Sequence, residues 1–253
     1  MRNLLLGLVT FLIGPMALAA GDAPPKLKVC LLSGSEEYDS DTTLAAFQKD
    51  LEAKYPVTCV LLKARGTSEL PGLEELERCD VAVFFTRRLK IEGEDLERVK
   101  KYCESGRPVV AIRTASHGFQ NWLEFDKLVL GGNYRGHYGN KMTMKADPVD
   151  GTQRHPVMAG VEPITSKGSL YKTSPIAPDA TLLMRGTSPE AMEPVTWVRT
   201  HQGGRVFYTS LGAQGDFEEP SFRRLLTNAI FWAAGRDAVV KEAATGRKTQ
   251  ARP

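Results

Sequence analysis

Apolar runs of five to seven residues alternate with segments of helical period through the first half of the chain. The runs are Lys26 to Leu32, Val57 to Leu62, Val81 to Phe85 and Pro108 to Ile112. Their aliphatic, largely β-branched content and bounding breakers predict buried parallel strands. After the first run, Leu44, Phe47 and Leu51 recur at three- and four-residue spacing, predicting a helix to about Lys54. Asp39, Ser40 or Asp41 is placed to cap it. Leu73 to Arg78 predicts a short helix. Glu92 to Glu104 predicts another, with Leu96, Val99 and Tyr102 or Cys103 inward and Gly106 as its C-cap. This β-α-β-α-β-α-β order predicts an α/β fold built on a doubly wound, mainly parallel sheet of flavodoxin-like size.

The second half is richer in β-pattern. Trp122 to Leu130 predicts a helix ending at Gly131-Gly132. Strands are predicted at Lys141 to Lys145, Leu170 to Lys172, Thr181 to Arg185, Val195 to Thr200 and Arg205 to Ser210. The last two flank a hairpin turn, His201-Gln202-Gly203-Gly204. Pro220 to Ala234 predicts a closing helix that buries Phe222, Leu225, Leu226, Ala229, Ile230 and Trp232.

The ends read differently. Residues 1–20 combine Arg2, an apolar stretch from Leu4 to Ile13 and a small-residue site at Ala17-Leu18-Ala19. That is the pattern of a secretory signal, and the apolar stretch is short for a membrane span. Residues 21–236 are expected to form one domain, and 237–253 a frayed or disordered basic tail. The expected location is periplasmic or extracellular, with no membrane attachment after signal cleavage.

Charge narrows the partners. The chain holds 33 basic and 30 acidic residues. Removing Arg2 and the tail's four basic and two acidic residues leaves 28 of each. A balanced core argues against a nucleic-acid partner, which demands a basic face. The four cysteines, Cys30, Cys59, Cys79 and Cys103, have no CxxC or CxxH spacing. Cys30 and Cys59 lie in strand runs and read as buried thiols. Cys79 and Cys103 flank one β-α step, so a bridge between them is an expectation for an exported chain.

Ligands of open α/β sheets bind outside the carboxyl ends of the strands. The segment PVVAIRTASHG, residues 108–118, therefore brings Arg113, Thr114, Ser116 and His117 to a cleft. Glu36, Glu37 and Tyr38 follow the first strand, and Arg87 and Arg88 the third. Ser210 to Asp216 follows a later strand, and the Gly-rich loop 131–140 carries Tyr134, His137 and Tyr138. Neither a GxGxxG after the first strand nor a GxxxxGK[ST] occurs, so neither a dinucleotide fingerprint nor a P-loop is present.

The ordered set SGSEEY, FFTRR, GRPVVAIRTASHGF, LGGNYRGHYGN, HPVMAG and GRVFYTSLG…DF…FRRLLTNAIFWA spans about residues 26–236. As a set it resembles the ThuA-like family of trehalose-utilisation type. The resemblance implies a class I glutamine amidotransferase-like fold and a role in sugar, especially disaccharide, metabolism; exported members are common. Amidotransferase-like folds place a nucleophilic cysteine just after the central strand. Here that position is Arg113, and Cys103 is the nearest cysteine. A cysteine-dependent amidotransferase is therefore not expected.

The expected ligand is a small saccharide, a disaccharide or an oxidised sugar. His117 and His137 would act as acid and base, with Glu37 as partner carboxylate. Arg113 and Arg87 would clamp the substrate, and Ser116, Tyr38 and Tyr138 would contact it, with Tyr134 a further cleft candidate. Arg113 could equally pair with Glu36 or Glu37. No cofactor is evident. His117, His137 and Glu37 could hold a divalent metal, although their spacing matches no metal signature. The reaction class (lyase, isomerase or hydrolase) is open, and a saccharide-binding module without turnover is the alternative. A serine hydrolase ranks third. Thr114 to Gly118 imitates G-x-S-x-G, but Ser116 falls three residues past the elbow, and neighbouring side chains such as Ser116 and His117 usually point apart. His155 reads as a cap, His201 as a solvated turn residue, and Asp216 as a site carboxylate or, preferably, the cap of the closing helix.

Overall fold

The structure is a computed structural model that describes residues 25–139 and 143–241. The signal-like segment 1–20, the predicted strand's first residues Lys141 and Met142, and the tail past 241 lie outside the described residues. Among the described residues one nine-stranded sheet carries the fold, in the order β2-β1-β3-β4-β9-β8-β7-β5-β6. Its parallel half is β1 (Leu27–Gly34), β2 (Val57–Lys63), β3 (Val81–Thr86), β4 (Val109–Ile112) and β9 (Gly204–Thr209). Its antiparallel half is β5 (Met144–Pro148), β6 (Ile164–Ser166), β7 (Thr181–Thr187) and β8 (Met192–His201).

The period-2 alternation of β1 explains the layers. Leu27, Val29 and Leu31 join one core with Leu44, Phe47 and Leu51 of α1 (Ser40–Lys54) and with the apolar stripe of α3 (Pro220–Ala233). Cys30 and Leu32 point to the other core, shared with Leu96, Val99 and Tyr102 of α2 (Gly93–Glu104). Both faces of the parallel half are covered, which is why its strands read as continuous apolar runs. The hairpin between β8 and β9 turns on Gln202 and Gly203, both at positive φ. Gly106, at φ +73, ends α2 where the Gln202 carbonyl leaves no room for a Cβ.

Several expectations need correction. Leu73–Glu77 is a 3-10 turn, and the helix expected over 122–130 is one π-helical stretch, Phe125–Leu130. Leu170 to Lys172 is not a strand; Tyr171 makes a single bridge to His137. β6 was not foreseen, because three residues carry too little alternation to register. The Cys79–Cys103 bridge does not form. All four cysteines are free and buried. Cys79 packs with Cys30 of β1 and its Sγ donates to the Leu76 carbonyl at 3.7 Å, while Cys103 is sealed within the α2 face.

The strand order reverses between β1 and β3, the switch point at which such sheets open a crevice. The chain leaving β1, β3, β4 and β9 builds the walls of that crevice.

Candidate functional site

Arg113 is the first residue after β4 and takes φ +45, a left-handed conformation that only a tight turn imposes on a side chain of this size. Its carbonyl accepts from Tyr208 Oη at 2.9 Å and from Ser116 Oγ at 3.2 Å, which holds the turn. The side chain is fully buried. Its guanidinium lies between the rings of Tyr38 and Tyr171, 4.6 Å from each centroid. Nη1 donates to the Ser210 carbonyl at 2.6 Å, and Nη2 reaches Ser169 at 3.4 Å. Nε finds no acceptor among the described residues. Gly168 lies flat on the guanidinium, so a Cβ there would strike it. The pairing of Arg113 with Glu36 or Glu37 is not what the fold builds; Glu37 sits beside Arg87 instead, 2.7 Å from its Nε. That contact is an ion pair off the N–H axis, since the buried Arg87 Nε–H has no aligned acceptor.

A cleft of about 560 Å³ opens above this box. Glu37, Tyr38, Arg87, Arg113, His117 and His137 all line it, as does Tyr134. Ser116 and Tyr138 do not. Ser116 is buried beneath the turn, and Tyr138 points away to donate to Glu193 Oε1 at 3.1 Å. The bridge between His137 and Tyr171 explains this, because neighbouring residues of a paired segment face opposite ways. Ser116 Oγ does lie 3.2 Å from His117 Nδ1, since the 3-10 turn brings the two together, yet the serine is kept from the cleft. Asp216 is not the cap of α3. Its Oδ2 accepts from Gly212 N, Ala213 N and Ser166 Oγ, tying the loop after β9 to β6. His155 caps as expected, its Nδ1 accepting from Val157 N at 3.2 Å.

Arg88, Lys167, Ser169, Tyr171 and Gln214 also line the cleft. Arg88, at φ +50, donates its N–H to the His117 carbonyl at 2.8 Å, stitching the β3 loop to the β4 turn. The signal for Lys167 and Ser169 is the Lys-Gly-Ser composition ahead of Leu170, which reads as a loop over a sheet.

The His117 ring stacks on Tyr134, with centroids 4.3 Å apart and planes at 16°. Tyr134 in turn meets Tyr171 at 4.8 Å. Burial, then Arg88, Arg87 and Arg113, push the His117 pKa down to about 3. His117 is therefore a neutral imidazole near pH 7. Burial raises the phenols of Tyr134 and Tyr171, which remain neutral hydroxyls. Tyr134 is placed by Asp126, whose Oδ2 accepts its N–H at 2.8 Å, and Gly132 allows the close approach. Burial pushes Asp126 up to about 6. Among the described residues no three His, Cys, Asp or Glu side chains gather as a metal-ligand set, so His117, His137 and Glu37 share a cleft without forming one. No cysteine lines the cleft.

The model of the trehalose-utilisation family, ThuA, matches residues 28–233. The chain belongs to the ThuA family. A protein described as ThuA-like from Parabacteroides merdae ATCC 43184 superposes with a TM-score of 0.68 at 17% identity, over 85% of this chain and 92% of that one. Another from Bacteroides uniformis ATCC 8492 gives 0.65 at 18%, over 90% and 97%. A protein described as belonging to a GMP synthase, from Thermoplasma acidophilum, gives 0.54 at 15%, over 83% and 95%. These identities speak for the fold alone, which ThuA proteins share with class I glutamine amidotransferases. Comparison with curated proteins found no match. In this ThuA chain the strained turn after the central strand carries Arg113. A buried cation between two tyrosines thus occupies the turn after the central strand.

Proposed function

We propose that this ThuA protein is exported and recognises a saccharide in the cleft above Arg113, with His117 and His137 carrying acid–base chemistry on it. The observation that carries the reading is the aromatic wall of Tyr38, Tyr134 and Tyr171 beside arginine and histidine donors in one cleft. Aromatic faces pack on the apolar faces of sugar rings, and planar donors reach their hydroxyls. A volume of about 560 Å³ suits a mono- or disaccharide. Family membership in trehalose utilisation supports the same substrate class. The signal-like pattern of residues 1–20 supports export.

A second reading, binding without turnover, draws on one specific observation. His117 resists protonation, so it accepts a proton poorly near neutral pH. The two readings separate on substitution. His117→Gln and His137→Gln are expected to retain saccharide affinity within a few-fold while turnover of the bound sugar falls by about a hundredfold or more. Calorimetry and product analysis across mono- and disaccharides, oxidised forms included, measure both. Binding without conversion of any sugar by the unmodified protein sinks the enzyme reading and leaves the binding module.

A further inference from the structure

We infer that the saccharide carries a negative charge, a carboxylate or a phosphate ester, read by Arg87, Arg88 and Lys167 above the buried Arg113. The inference rests on the saccharide reading and adds its charge class.

Four cations, Arg87, Arg88, Arg113 and Lys167, face the cleft against one carboxylate, Glu37. The lining therefore carries a net charge of +3 in a domain whose core is balanced. Glu37 engages Arg87 alone. Among the described residues Arg113 has no ion-pair partner, although its side chain is wholly buried and its Nε–H is unsatisfied. A buried charge is costly unless something compensates it. Asp216 feels the arginine, but three hydrogen bonds hold its carboxylate in the loop after β9. The two tyrosine faces supply part of the compensation. The remainder of the field points into the cleft, and an anion there offsets it.

The backbone supports the same conclusion. Arg88 and Arg113 are both held at positive φ, and the Arg88 N–H bond to the His117 carbonyl couples their turns. Left-handed backbone at side chains of this size is strained and persists where the surroundings impose it, often at ligand sites. Burial first, and then Arg88, Arg87 and Arg113, depress the His117 pKa, so the arginines also act on the imidazole inside the cleft. A neutral sugar would leave that field uncompensated. Guanidinium forks match carboxylate and phosphate alike, so the geometry specifies the charge and not the group.

The test is calorimetric titration of the mature chain with methyl glucoside, glucuronate and glucose 6-phosphate, and with acetate and inorganic phosphate. At low salt one acidic sugar is expected to bind at least about tenfold more tightly than the neutral glucoside. Whichever acid wins assigns carboxylate or phosphate. The advantage is expected to shrink in 0.5 M salt, used as a condition in which charges are strongly screened (roughly 3–10 Å screening length). It is also expected to fall in Arg88→Gln, with Lys167→Gln as a second variant on another loop. Equal binding of neutral and acidic sugars overturns the inference and leaves the saccharide reading standing. Free acetate or phosphate binding as tightly as the sugar acids overturns the saccharide reading and leaves the anion site. Absence of binding by every compound overturns both.

Discussion

Arg113→Met is expected to lower stability by about 3 kcal/mol, read as a fall in the urea midpoint with unchanged slope. Three effects compete. Loss of two desolvated cation–π contacts, with Tyr38 and Tyr171, costs about 2 kcal/mol each. The buried Ser210 carbonyl loses its guanidinium donor, which costs about 1–3 kcal/mol if nothing replaces it. Removing an unpaired buried charge returns several kcal/mol, and methionine fills part of the space. The losses outweigh the gain because they act on both rings and on the carbonyl together. Arg113→Lys is not expected to rescue, since an ammonium cannot span the Ser210 and Ser169 acceptors while keeping both tyrosine contacts. A methionine variant as stable as the parent would mean that Arg113 serves the ligand alone.

The second large effect is on acid stability. The His117 pKa of about 3 in the folded chain lies below the ordinary 6.5. A depressed imidazole contributes stability that is fully present above pH 6.5. The contribution is lost as pH falls through 6.5 toward 3, because the unfolded chain takes up a proton that the folded chain refuses. Between pH 6.5 and pH 4 this one group accounts for about 3 kcal/mol, at 1.36 kcal/mol per unit. His117→Gln should therefore lose less stability than the parent over that window, by about that amount. Asp126 acts in the opposite sense. Its pKa is raised to about 6, so the cost of its buried charge is relieved as pH falls from 6 toward 3.8. That relief is common to both proteins and cancels in the difference. Denaturant unfolding at pH 7, 5.5 and 4 measures it. Parallel profiles for the two proteins would show that His117 titrates normally.

Much of this arrangement was legible in the chain. β1 to β4 are buried on both faces, so their apolar runs carried the fold without ambiguity. The rule for open α/β sheets then put Glu37, Tyr38, Arg87, Arg113 and His117 on one rim, and all five line the cleft. What escaped depends on contacts between segments distant in sequence. Tyr171 closes the box on Arg113 from a stretch that looked like a strand and forms one bridge. That bridge turns His137 inward and Tyr138 outward, a choice the Gly-rich loop does not encode locally. Asp216 resembled a helix cap, yet its carboxylate is taken by backbone N–H groups of its own loop. The contact between Ser116 and His117 follows from a 3-10 turn, where the geometry assumed for adjacent side chains does not hold.

The most direct test of saccharide recognition in this cleft is calorimetric affinity for a saccharide in the parent and in Tyr134→Ala. Tyr134 stacks on His117 at the cleft wall and is only partly buried, so its truncation should spare the fold. The account predicts affinity at least about tenfold weaker in the variant with thermal unfolding little changed, since one aromatic stacking face is worth roughly 1.5 kcal/mol. An unchanged dissociation constant would place the saccharide elsewhere and contradict it.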